Sequence, residues 1–398
     1  MNRIKLDTFL PGILIAATGV GAGDLITASM AGHKIGLVLW IPLIGALLKY
    51  YLTEGIARYQ MAQDQTLISG WILKLGNWIK WPFFIYLIIW SFVVGGALIN
   101  ATAAALNALL PIEHGKYIYG ALSSFGALAL IIFGNFATFE RVMAALISLM
   151  FITVVGVAPF FLDSPADLLT GLTSFALFDW QNPWIIGVLG GVGGTLTIVC
   201  YGYWLQESNR SGFEGLKQSR FDLIISYLLT ALFSMAMMII GTKLTAELKG
   251  GESFVLAISQ LFSIKLGAWG ALFFKLGFFC GVFSSLLGVW QSVPYLFADI
   301  YSLHKGINYP DLKKSSPYRS FLLCLGIIPL CSLWIKFQSI QLIYAVVGAC
   351  FIPLCALSLL ILGNIHIKDK RFKNSKTANL ILSISLLFFL FSGIMNLI

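Results

Sequence analysis

Eleven apolar runs, each close to the length of a membrane-crossing helix, divide almost the whole chain, and charged residues or Pro, Gly and Asn bound each of them. They fall at about 8–32, 37–59, 81–110, 117–135, 141–162, 184–207, 221–247, 268–296, 319–335, 339–363 and 377–397. At about 20 residues per crossing, eleven helices take more than half of the 398 residues. The loops left between them are too short for a separate folded domain, which excludes a receptor or enzyme with a large soluble head. With 58% hydrophobic and 11% charged residues and a mean hydropathy of +0.87, the chain lies far from the roughly 25% charge of soluble proteins. The fold predicted is an all-α integral membrane domain over 1–398.

The six cysteines, Cys200, Cys280, Cys324, Cys331, Cys350 and Cys355, all sit inside apolar runs, so none staples an exposed loop or forms a CxxC metal site. The basic start and first apolar run resemble a signal sequence, but ten further spans follow and no small-residue cleavage site intervenes, so the run is expected to be a retained first helix.

A formal charge of +9 would suggest nucleic acid in a soluble chain. Here the bases follow the positive-inside rule instead, and no nucleic-acid partner is expected. With the amino terminus inside, inner loops hold 18 Lys and Arg and outer loops 6, with Lys49 and Lys275 within spans. The expected orientation is therefore amino terminus cytoplasmic and carboxyl terminus outside, in the plasma (inner) membrane, with 364–376 as the strongest inner anchor. Loop 163–183, with Asp163, Asp167 and Asp179 and no base, reads as outer. Loop 248–267 contains SFVLAISQLF, too short to cross and readable as an interfacial helix.

Two spans are interrupted. The first contains Gly19-Val20-Gly21-Ala22-Gly23-Asp24, three glycines and an acid in the middle of an apolar run. A charge near the bilayer centre costs about 2.5–3.5 kcal/mol on insertion scales, so it normally faces a polar cavity. Unwinding at the glycines would free backbone carbonyls, which lipid tolerates only where they line a cavity or site. The sixth span repeats the pattern, with Gly187, Gly190, Gly191, Gly193 and Gly194 ahead of Thr195 to Trp204. Gly-interrupted segments at the first position of two five-helix halves point to a secondary transporter with a midplane site. Because five is odd, the second half must be inverted. The repeats expected are about 8–162 and 184–363, with an additional helix at about 377–397. The alternative for the glycines is close helix packing.

The run from Pro11 to Trp71, PGILIAATGVGAGDLITASMAGHKIGLVLW followed by LLKYYLTEGIARYQMAQDQTLISGW, resembles the first two helices of the Nramp divalent-metal transporters. TFERVMAAL at the start of the fifth span and VFSSLLGVWQSVPY in the eighth extend the resemblance over nearly the whole chain. It implies a LeuT-type fold of 11 transmembrane helices, a 5+5 inverted repeat with helices 1 and 6 broken, and import of Mn²⁺ or Fe²⁺ with protons. Aligned through Gly32 to Gly36, the family motif DPGN falls on Gly21-Ala22-Gly23-Asp24, so the acid moves from Gly21 to Asp24. The sixth-helix motif MPH falls on Cys200-Tyr201-Gly202, exchanging a thioether for a thiol and removing the histidine. His33, His114, His304 and His366 all stand at span ends or in loops.

For a metal as cargo, Asp24 is the candidate carboxylate ligand, carbonyls around Gly21 and from Val199 to Gly202 the neutral oxygens, and Cys200 a soft ligand or a small packing residue. Asp24 also suits the N-cap of a second half-helix. Tyr201, Gly202 and Tyr203 are expected to line the substrate cavity or to pack beside it. Lys49, Glu54 and Glu207 are candidates for proton or charge relay. Glu54 has the spacing of an ion pair with Arg58, and Lys49 either pairs with Asp24 in the empty state or snorkels along its neighbours. Ser284, Ser285, Gln291 and Ser292 line a path or bond backbone.

The function expected is secondary active transport of divalent metal ions, Mn²⁺ or Fe²⁺ with Mg²⁺ a further candidate, by alternating access of helices 1, 2, 6 and 7, with proton coupling open. The alternative is a carrier of a small organic solute such as an amine. HExxH, GxSxG and phosphate-loop patterns are missing, so neither enzymatic activity nor a cofactor is expected. The partners expected are the cargo ion, the lipid bilayer and protons.

Overall fold

The computed structural model describes residues 10–21, 23–76, 78–175, 182–191, 193–245 and 250–395, and these are helical, with no strand among them. Asp179 and Ala22, named above, lie outside the described residues. In chain order the helices are α1 (Leu10–Gly19), α2 (Ala28–Ile35), α3 (Trp40–Gln63), α4 (Leu67–Gly70), α5 (Lys80–Leu109), α6 (Gly115–Phe133), α7 (Phe136–Val154) and α8 (Ala166–Thr173). There follow α9 (Pro183–Gly191), α10 (Thr197–Glu207), α11 (Gly212–Gly241), α12 (Gly251–Lys305), α13 (Ser316–Ile327), α14 (Phe337–Ala349), α15 (Phe351–Ile361) and α16 (Lys376–Met395).

Among the described residues eight helical segments are long and apolar enough to cross a bilayer, and nine when α1 and its continuation, bent by 52°, count as one. The α3 helix falls short of that standard because it carries Lys49, Glu54, Arg58 and Gln60. All four are buried inside the protein, while Leu43, Ile44 and Leu47 are exposed, so α3 turns its charged face inward and an apolar face outward. The α9–α10 pair falls short because it is interrupted.

The helices fall into two groups. The α1–α2 pair, α3, the α9–α10 pair and α11 contact one another, and so do α5, α6, α12 and α13. The groups meet directly where α12 contacts α1 and α10, and α7, which touches α1, α11 and α12, and α14, which reaches both α5 and α9, link them further. This is the bundle of helices 1, 2, 6 and 7 held in a scaffold.

Small residues set the closeness inside the bundle. A Cβ on Gly32 of α2 would lie 2.1 Å from the Met238 carbonyl oxygen, and one on Gly241 would lie 2.1 Å from that of Ser29. The two backbones of α2 and α11 therefore touch without side chains between them, as small-residue membrane interfaces do.

The segment expected to form a short helix, within 248–267, is helical from Gly251 and is set off from the eighth span by a break at Gly267. Residues from Gly251 continue helically to Gly267, where φ of 70° and ψ of −167° turn the chain, and the helix resumes to Lys305. Phe254, Val255, Ile258 and Phe262 are buried on the protein, so the apolar face of SFVLAISQLF is spent on the bundle. Loop 163–183 contains α8, whose Asp167 accepts amide hydrogens from Asp163 and Ser164. Those bonds, the Ser164 amide foremost, hold its carboxyl below the usual carboxylate range. The Gly171 carbonyl of α8 accepts from the Leu39 amide, and Ser174 donates to Leu37, fixing the link from α2 to α3.

Candidate functional site

The two breaks meet. A Cβ on Gly19 would stand 2.4 Å from the carbonyl carbon of Gly193, so α1 and the segment between α9 and α10 cross in direct backbone contact. Gly193 and Gly194 have φ of 73° and 89°, a region where any side chain is strained. The turn they make ends α9. In a continuous helix the Ile198 amide would bond the Gly194 carbonyl, but here it bonds Thr195, leaving the Gly194 oxygen without a backbone donor.

Asp24 follows the first break, as the second residue of a single π turn (Gly23–Thr27) that leads into α2. Its negative charge sits at the positive end of a half-helix. The side chain is 1% exposed. Ser234 of α11 donates to Oδ1 at 2.8 Å, the Gly193 amide is the backbone donor that faces the carboxylate, and Oδ2 is buried without a well-formed hydrogen bond. A buried carboxylate oxygen without a well-formed hydrogen bond is costly, and it leaves a strong acceptor under-satisfied at the crossing of the two breaks.

Lys49 projects from the middle of α3 and is wholly buried. Its ammonium donates to the Gly194 carbonyl, the oxygen released by the second break. It lies within electrostatic reach of Asp24, although among the described residues no ion pair joins the two. Snorkelling, the other expectation, would have left it partly exposed.

Two further carbonyls of the first break are occupied by side chains. Ser284 of α12 donates to Ala17 at 2.9 Å and Ser285 to Thr18 at 2.8 Å, so these serines anchor the unwound backbone to the scaffold. Ser284 also bonds Gly281 in its own helix. A Cβ at Gly21 would meet the Ser285 hydroxyl at 2.0 Å, so Gly21 permits close approach, and its own carbonyl accepts from the Leu25 amide.

The residues aligned with the sixth-helix motif lie beyond the break, inside the regular α10 helix. Cys200 is buried and neighbours Ser292, Tyr203 and Tyr318. Tyr201 donates to Asp222 at 2.8 Å, and Asp222 pairs with Arg210. The Gly202 carbonyl accepts from Gln60 at 2.7 Å, so it is not a free oxygen. Among the described residues no group of three or more His, Cys, Asp or Glu converges as a closed metal cage. The arrangement at the crossing is instead one acid, released backbone oxygen and an ammonium.

Glu54 receives two bonds from Arg220, at 2.9 and 2.8 Å, and lies 3.5 Å from Arg58. It is thus clamped by two guanidinium groups. Glu207 accepts from Tyr295 at 2.6 Å and lines a cavity of about 550 Å3 at the basic end of the bundle, beside loops 208–211 and 306–315. That cavity also holds Asp299 and Asp311 and no Lys or Arg. Tyr203 and Thr66 both donate to Asp299 Oδ2, at 2.7 and 2.6 Å. Sequence reasoning did not single out Asp299 or Ser234. An acid at the second position of ADIYSLHK was visible as a charge near a span end, whereas nothing marked Ser234 among the other hydroxyls of α11.

A broken pair of crossing helices inside a four-helix bundle, held by a separate four-helix scaffold, defines the LeuT-type membrane transporters. Among solved structures the manganese transporter of Eremococcus coleocola, in complex with an aromatic bis-isothiourea substituted compound, is similar over 98% of this chain and 86% of its own, at 15% identity and a TM-score of 0.76. MhsT in complex with L-phenylalanine is similar over 97% and 98%, at 16% identity and a TM-score of 0.66. Mhp1, a nucleobase-cation-symport-1 family transporter in a closed conformation, is similar over 98% and 91%, at 12% and 0.60. At such identities the likeness concerns the fold. No curated protein sequence matches the chain. The family model described as natural resistance-associated macrophage protein-like matches residues 12–398, and the chain belongs to the Nramp family.

Proposed function

We propose that this protein carries a divalent metal ion, Mn²⁺ foremost, across the plasma membrane by alternating access, with Asp24 as the anionic ligand. The observation that carries the reading is the buried, under-satisfied Oδ2 of Asp24 at the crossing of two helix breaks. Family membership and the likeness to a protein named a manganese transporter support the choice of cargo. Gly21 serves the site by letting the first break approach Ser285. Cys200, Tyr201, Gly202 and Tyr203 belong to the path from the crossing toward the cavity lined by Glu207 and Asp299. The basic end of the bundle is the cytoplasmic one, by the count of Lys and Arg. The half-repeats are 8–162 and 184–363. A coupled proton is carried by Asp24 or Glu207, since Glu54 is held by Arg58 and Arg220.

The test is uptake of Mn²⁺ and Mg²⁺ into proteoliposomes, with and without a pH gradient, by wild type and Asp24→Asn. Saturable Mn²⁺ uptake that the variant loses is the expected result. Failure to take up either ion refutes the metal reading.

One observation favours a second reading, a carrier of small amines. The Lys49 ammonium already sits on the Gly194 carbonyl within reach of Asp24, so an alkylammonium fits there. Inhibition of labelled methylamine uptake by Mn²⁺, or the reverse, separates the two.

A further inference from the structure

We infer that Lys49 is a tethered cation that occupies part of the cargo's coordination space in the empty carrier and must be displaced for a divalent ion to bind. The inference rests on the metal reading above. Three observations combine. The Gly194 oxygen has lost its helical donor, because the Ile198 amide bonds Thr195. The Lys49 ammonium takes that oxygen. Asp24 keeps a buried oxygen under-satisfied beside the same crossing, within electrostatic reach of Lys49.

With Lys49 in place, the acid and the ammonium sum to zero charge in a buried site. A divalent ion entering there would meet a fixed like charge at low effective dielectric. The lysine stem has four flexible methylenes and a rotatable head, so the head can leave Gly194, and the vacated oxygen then becomes available to the ion. The head cannot diffuse away. When the ion leaves, the tether returns the ammonium to the same carbonyl, which opposes rebinding and favours release. Lys49 therefore weakens binding and speeds turnover. The groups facing it from neighbouring elements are the Gly194 carbonyl, Asp24 and the Cys355 thiol of α15, with the Thr53–Tyr227 hydroxyl pair one helical turn along α3.

The experiment measures Mn²⁺ binding to the purified full chain by isothermal titration, and Mn²⁺ uptake in proteoliposomes, for wild type, Lys49→Met, Lys49→Gln and Lys49→Arg. Met keeps the apolar stem without charge, and Gln also keeps a donor for Gly194, so loss of the hydrogen bond and loss of the charge are separated. Both neutral variants are expected to bind Mn²⁺ roughly tenfold or more tightly and to show a lower maximal rate with a lower KM. Arg should stay within about threefold of wild-type affinity. Unchanged or weaker binding in Met and Gln, with both variants monodisperse, overturns the inference. A merely structural lysine would lower binding and rate together. If wild type neither binds nor carries Mn²⁺, the metal reading itself fails, and the displaced-cation role falls with it.

Discussion

Placing one methyl group at either of two break glycines should have opposite results. A Cβ on Gly19 would stand 2.4 Å from the Gly193 carbonyl carbon and 2.7 Å from its Cα. Carbon atoms attract at about 3.5–4.0 Å, so Gly19→Ala requires the two breaks to separate by about 1 Å. The contacted atoms are backbone and no rotamer change relieves them. Overpacking a core costs about 1–3 kcal/mol, and a backbone-on-backbone contact belongs at the upper end of that range. Gly191, the last residue of α9, would meet nothing within 4 Å. Alanine there reduces the freedom of the unfolded chain and stabilises by about 0.4–1 kcal/mol. The two variants should therefore differ by about 3–4 kcal/mol, more than two decades in the unfolding constant. Equilibrium unfolding in mixed detergent micelles, followed by far-ultraviolet circular dichroism, measures the difference, and Mn²⁺ uptake in proteoliposomes gives its functional consequence. Gly19→Ala should lose both stability and uptake, while Gly191→Ala should retain both. A Gly19→Ala protein as stable as Gly191→Ala would show that the breaks do not cross where the backbone contact places them.

Other expectations follow from the same geometry. Arg220→Ala removes both close bonds to the buried Glu54 and leaves only Arg58 at 3.5 Å; with Arg220 itself partly exposed, it should cost about 1–3 kcal/mol in the same unfolding assay, and no measurable loss would refute the clamp. The double variant Ser284→Ala/Ser285→Ala strips the donors from the Ala17 and Thr18 carbonyls and should cost about 1–3 kcal/mol per orphaned group. Ser148→Ala, whose hydroxyl bonds only its own helix at an exposed position, should be near neutral, and equal losses in the two would contradict the anchoring role.

Much of the architecture was legible because membrane burial writes it into long apolar runs, and both breaks were legible because glycines cluster there. The helix-6 break was placed too loosely. The expectation of free oxygens from Val199 to Gly202 failed locally because the positive-φ turn is completed at Gly193 and Gly194, after which α10 closes its own hydrogen bonds and Gln60 takes the Gly202 carbonyl. The Glu54–Arg58 spacing announced an ion pair, but Arg220 is 166 residues away in sequence and no local rule reaches it. Lys49 was conspicuous as a charge in mid-span; its partner was not, since a backbone carbonyl carries no residue signature. The apolar run of the eighth span stops near 296, yet α12 continues to Lys305.

That continuation has a consequence for where the cargo regains water. From 268 to 305 the helix would measure about 57 Å at 1.5 Å per residue, against a hydrocarbon layer of about 30 Å. Even strongly tilted, its last turns stand beyond the lipid tails. With the hydrocarbon layer centred on this helix, Asp299 and the cavity it shares with Glu207 would lie at the edge of the headgroup region, so on the proposed path an ion reaching them would leave the low-dielectric slab while still inside protein walls. On that path the dehydration that makes membrane crossing costly would be confined to the stretch between the crossing glycines and Tyr203.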